Sequence, residues 1–203
     1  MLFSKPKDII WGTGCIAPNE VGSTPIKVYA VRGPLTRKEL LKKNINCPEI
    51  YGDPALLFPE IYNPNKNPKY KYGVIPHYID FTDPLSLKTI YHLESQGVKI
   101  INITSGIFNF IDELLQCQNV LSSSLHGLIM ADAYNIPNIR IKLSDKLIGG
   151  DFKFKDYALS VNKNPIIGDI NNFKNLNYSC DIQWDKNLLL NSGPWNDPKC
   201  KFF

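Results

Sequence analysis

Short apolar runs separated by polar turns recur along the chain, and beyond residue 70 they alternate with segments of helical spacing. Residues 8–11 read as a buried strand ending at the Gly12-Thr13-Gly14 turn, and residues 27–31, rich in β-branched and apolar side chains, as a second. A helix opens near Gly33-Pro34 in one of two ways: Pro34 occupies its first turn, or Thr36 caps it with Glu39 completing a capping box. Leu40, Leu41 and Ile45 form its apolar side, and Ile50-Tyr51 reads as a further strand end. The polar stretch 62–70, with Pro64 and Pro68, can continue neither a helix nor a central strand, and it is the seam of the chain. Beyond it the pattern predicts strands at 72–75, 98–103, 119–121 and 139–141. Between them it predicts helices from Asp83-Pro84 to about Gly97, over 108–116, and over 125–134 closed by Asn135 and Pro137. Repeated β-α-β units of this length predict an α/β fold with Rossmann-like parallel sheets and right-handed crossovers. Residues 149–156 read as a loop, and residues 162–203 carry no motif; Pro194 and Pro198 break any long helix there, while Trp184, Leu188 and Leu189 are available to dock onto the body.

In such sheets ligands sit beyond the carboxyl ends of the strands, so the strand-to-helix turns are the places to search. In residues 120–134 a buried strand runs through Ser122, Ser123 and Ser124 directly into a helix. His126 falls in its first turn, beside backbone N–H groups without intrahelical partners, where an anion is favoured. Gly127 removes a side chain where a ligand approaches closely. Two readings of His126 stand: it holds a phosphate or carboxylate or delivers a proton, or it satisfies hydrogen bonds at a helix start capped by the serines. Arg32, at a strand end before a helix, likewise either grips an anion with its planar fork of donors or forms a salt bridge or carbonyl clamp. His77 follows Pro76 at a strand end, and Lys153 lies just after Gly149-Gly150; each reads as a ligand contact or as an ordinary structural or solvated residue.

Composition narrows the classes. The 203 residues are 43% hydrophobic and 21% charged, the make-up of a globular domain with a sizeable core. No apolar run reaches the roughly 18–20 residues of a spanning helix, and residues 1–8 lack the apolar centre of a secretory signal. Five scattered cysteines, none in a CxxC pair, argue against a disulfide framework or zinc site and for a reducing cytoplasm. A net charge of +4 suits a small anionic substrate and falls short of a nucleic-acid footprint.

The segments WGTG (11–14), VYAVRGPLTRKEL (28–40), YGDPALLFP (51–59), YGVIPHYID (72–80), VLSSSLHGLIMADAYNIPN (120–138) and KFKDYALS (153–160) together resemble, in this order, the polysaccharide pyruvyl transferases. The resemblance implies a GT-B-like fold of two Rossmann-like domains: residues 1–70 as the second part of an incomplete N-terminal domain, and 71–203 as the C-terminal domain plus a tail. It also implies transfer of the pyruvate moiety of phosphoenolpyruvate onto two hydroxyls of a sugar, making a cyclic ketal, with no cofactor beyond that donor. By the same resemblance His126 and Arg32 are the catalytic candidates, and Ser123, Ser124, Gly127, His77 and Lys153 the substrate-binding ones, with no metal. The expected partners are phosphoenolpyruvate and a glycan acceptor, with peripheral association to polysaccharide-assembly machinery and no nucleic acid. The chain departs from the family at Ser124, where many relatives carry arginine two residues before the histidine, so part of the phosphate-binding charge comes from elsewhere. Its alternatives are a non-catalytic remnant of such an enzyme and a GT-B glycosyltransferase using a nucleotide sugar. Trp11, Trp184 and Trp195 as stacking residues of a carbohydrate-binding module form a third.

Overall fold

The computed structural model describes residues 5–6, 8–25 and 27–197; residues 1–4, Pro198 and Cys200 lie outside the described residues. In chain order the elements are β1 (Ile9–Trp11), β2 (Lys27–Ala30), α1 (Pro34–Lys42), β3 (Tyr70–Ile75), α2 (Pro84–Ser95) and β4 (Lys99–Ile100). There follow α3 (Ile107–Leu114), β5 (Cys117–Ser122), α4 (Leu125–Ala133), β6 (Asn138–Arg140), α5 (Phe152–Ser160) and α6 (Lys186–Asn191). Short 3-10 helices occupy Pro54–Glu60, Tyr78–Thr82, Ile170–Asn175 and Pro194–Asn196. They form two units. One comprises the chain up to Pro54, Ile148–Pro165 and the segment starting at Ile182; the other comprises Ala55–Leu147 and Ile166–Asp181. This division differs from a single break at residue 70: the seam 62–70 lies inside the second unit, and two later segments return to the first.

In the first unit β1 and β2 pair in parallel, and Val31 extends the arrangement by a parallel bridge to Tyr51. Ile10, Val28, Val31, Leu40, Ile45 and Cys47 form its core. Helix α1 settles the choice left by its sequence. Gly33 is the N-cap without a side-chain bond and Pro34 stands in the first turn, whose N–H groups have no intrahelical acceptor to lose. Thr36 lies inside the helix instead, its Oγ1 accepting from the Cys15 N–H at 3.0 Å.

The expected loop at 149–156 is a helix from Phe152 onward, α5, which packs on α1. Phe154, Tyr157, Ala158 and Val161 are buried at helical spacing, a pattern obscured by the charges of Lys153, Lys155 and Asp156 among them. In the tail, Asp185 caps α6 through the Leu188 N–H at 2.8 Å. Leu189 is fully buried, and the Trp11 indole donates to its carbonyl at 3.1 Å.

The second unit is a four-stranded parallel sheet in the order β4-β3-β5-β6. The expected strand at 98–103 contracts to Lys99–Ile100, and the 3-10 turn at Tyr78–Thr82 was not foreseen. Side chains alternate between two covered faces: Ile75 and Val120 pack with α3 and α4, while Val74 and Leu121 pack with Leu93 of α2 and with Phe173. Both faces are buried toward the ends of the central strands, where the apolar pairs Val74-Ile75 and Val120-Leu121 make the strands beyond residue 70 readable. Burial pushes the Cys117 thiol at the head of β5 up to about 12, so it behaves as a small apolar residue. Among the described residues no helix is long and apolar enough to cross a membrane.

Candidate functional site

Numbering the strands of the second unit by their own sequence, the order is 2-1-3-4. Chain direction across such a sheet reverses between the first and third strands, here β3 and β5. The crevice beyond their carboxyl ends is where open α/β sheets bind ligands. A pocket of about 390 Å³ lies in this unit, lined by His77, Tyr78, Ser124 and His126 together with Ala55, Ile103, Ile107, Phe110 and Met130. His77 follows β3, and Ser124 and His126 follow β5. The topology therefore brings His77 together with Ser124 and His126, which lie over forty residues further along the chain. Among the described residues lining the pocket none is Arg or Lys.

The serine turn is held from within. The Ser122 hydroxyl accepts from the Ser124 N–H at 3.0 Å and lies 3.0 Å from the Ile75 carbonyl and 2.9 Å from the Ser124 carbonyl. This bends the chain from β5 into α4. Ser124 is the N-cap residue of α4, yet its side chain makes no capping bond. The first-turn N–H groups of α4 and the positive end of its dipole thus face the pocket without a side-chain acceptor from the cap. The exposed His126 imidazole sits in that first turn with no bond to a described side chain.

Ser123 is turned inward: its hydroxyl donates to Asp80 at 2.6 Å and accepts from the His77 N–H at 2.9 Å. Gly127 packs against protein, because a Cβ there would stand 2.3 Å from Ser122 Oγ and 2.9 Å from the Ile75 side chain. Its bareness lets α4 close on the end of β3. His77 caps the 3-10 turn, its Nδ1 accepting from the Ile79 N–H at 3.3 Å. In the neutral ring that leaves Nε2 as the protonated nitrogen. Tyr78, 59% exposed, stacks beside it with ring centroids 4.4 Å apart.

Arg32 and Lys153 belong to the first unit. Arg32 is only 6% exposed; its guanidinium donates to the Cys15 carbonyl at 2.6 Å and to Asp156 at 2.9 Å. Asp156 also accepts from the Thr36 N–H at 2.9 Å and the Thr36 hydroxyl at 2.6 Å. Gly14 lies flat under the guanidinium, since a Cβ there would stand 2.5 Å from Arg32 Cζ. This constellation joins the turn after β1, the start of α1 and α5 around one buried ion pair. Of its donors, Arg32 Nε alone is buried without a partner. Lys153 lies on α5 with its ammonium 5.5 Å from the Phe154 ring centroid. Residue-type reasoning overlooked Asp80 and Ser144, because a lone Asp in the segment YGVIPHYID and a loop serine carry no spacing signal.

The sequence profile described as polysaccharide pyruvyl transferase matches residues 24–145. The chain is also 30% identical over 159 residues to a protein of Acanthamoeba polyphaga mimivirus described as "Uncharacterized protein L143". That match takes in 76% of this chain and 55% of the mimivirus protein, so the chain spans about half the length of the curated relative it matches. No solved structure matches. The profile match covers more than half of the chain, including β2, α1, the histidine-bearing turns and the whole parallel sheet, and by it the chain belongs to the polysaccharide pyruvyl transferase family.

Proposed function

We propose that the pocket beyond β3 and β5 receives phosphoenolpyruvate and that its pyruvyl group passes to two hydroxyls of a glycan sugar. The observation that carries this reading is the meeting of His77, Ser124 and His126 at the switch point, under the uncapped start of α4. Helix N–H groups and two imidazoles are suited to a phosphate or carboxylate oxygen. The apolar wall of Ile103, Ile107, Phe110 and Met130 suits the methylene end and keeps water from the reacting carbon.

In the reaction a proton is added to C3 of the enol, C2 becomes electrophilic, and a sugar hydroxyl attacks it. The C2–O bond to phosphate breaks and the second hydroxyl closes the ketal. Of the two hydroxyl protons released, one balances the proton on C3 and the other leaves with phosphate. In this reading His126 delivers the proton or neutralises the departing phosphate, and His77, through Nε2, contacts the donor. Arg32, held by Asp156 through Nη2, supports the first unit, and its Nε is a buried donor without a partner.

Phosphate release from phosphoenolpyruvate, measured with the full chain and candidate glycans, tests the reading. His126→Ala is expected to slow turnover by about 10²–10⁴-fold, the usual range for a lost acid–base group. Unchanged turnover in that variant, or binding of a nucleotide sugar in place of phosphoenolpyruvate, overturns it.

A further inference from the structure

The loops that follow β3, β5 and β6 are joined by one carboxylate. Asp80 is fully buried. Its Oδ2 accepts from the His77 N–H at 3.0 Å and from the Ser123 hydroxyl at 2.6 Å, and its Oδ1 accepts from the Ser144 hydroxyl at 2.8 Å. The His77 N–H is shared with Ser123 Oγ at 2.9 Å, so histidine, serine and aspartate form a closed triangle. All three donors are neutral. A carboxylate removed from water is tolerated only where such donors replace its hydration, so the loops cannot part without stranding it. Two of them carry the pocket's imidazoles: His77 is a corner of the triangle, and Ser123 lies three residues before His126.

We propose that Asp80 is the positioning residue of the pocket, holding the His77 loop and the serine turn in register so that the two imidazoles face one ligand. For catalysis this rests on the reading of the pocket as the donor site; for the placement of the rings it does not. Asp80→Asn keeps the shape but removes the charge and replaces one of the two acceptor oxygens with an amide NH2, which cannot accept from the group it faces. Two measurements on the full chain separate the ideas. The first is the ligand-free nitrogen-15 resonances of the His77 and His126 rings across pH, and the second is phosphoenolpyruvate binding by calorimetry.

In the Asn variant both rings are expected to shift and affinity to fall about tenfold, the scale of a lost bond to a charged group. Ser123→Ala is expected to act in the same direction, and the double variant to be no worse than Asp80→Asn alone. A folded Asn variant with wild-type His126 resonances overturns the proposal. If that variant does not fold, unshifted His126 resonances in Ser123→Ala overturn it equally. Absence of phosphoenolpyruvate binding by the wild-type chain defeats the functional reading, and the ring resonances still decide the role of Asp80.

Discussion

Arg32 and His126 were equal candidates as residue types at strand ends, and their surroundings separate them. The His126 imidazole is exposed in a pocket, whereas the Arg32 guanidinium is committed to a carboxylate that is itself wholly buried. Removing one member of a buried pair leaves an uncompensated charge, which costs more than the pair contributes. Arg32→Ala is therefore expected to lower stability by about 3–5 kcal/mol, read from urea unfolding. A loss of phosphoenolpyruvate affinity at unchanged stability would instead return Arg32 to the donor site. A guanidinium at a strand end suits both tasks, and only the position of Asp156, over a hundred residues away in sequence, distinguishes them.

At the scale of elements, the boundaries legible beforehand were those with a local chemical cause. Asp83 was expected to cap α2, and it does, accepting from the Ser86 N–H at 2.9 Å. Lys146 beside it, reinforced by the Ser86 hydroxyl and N–H, holds the Asp83 carboxyl down at about 2, below the roughly 3.9 of an unfolded chain. The native state thus favours the ionised form. Its contribution is complete above about pH 4 and is lost as pH falls toward 2. Asp83→Asn is expected to flatten that limb of the stability curve, measured as urea midpoints between pH 2 and 6, and to leave the slope above pH 5 unchanged. The α5 helix was missed because Lys and Asp interrupt its apolar positions. Asp156 is buried there only by virtue of Arg32 and Thr36, partners outside any local window.

Across the whole molecule the chain passes back and forth between two units, so each core is closed by residues remote from those that begin it. Leu189 illustrates this: it belongs to a tail without motif, yet it is fully buried in the first unit, with its side chain against Gly52. Leu189→Ala is expected to cost about 2–5 kcal/mol, as large-to-small changes in packed cores do, followed by tryptophan emission because Trp11 bonds its carbonyl. An effect below about 0.5 kcal/mol would mean that the tail contributes little to the first unit. Family membership and the parallel α/β character of residues 70–141 were legible in the residues alone, because strand runs, helix periodicity, caps and stops are written in neighbouring positions. The return of α5 and α6 to the first unit, the conversion of Arg32 into half of a buried pair, and the gathering of three loops by Asp80 depended on the path of the chain through space. Those contacts join positions tens to over a hundred residues apart, and no local pattern of side chains encodes which distant donor will meet a buried carboxylate.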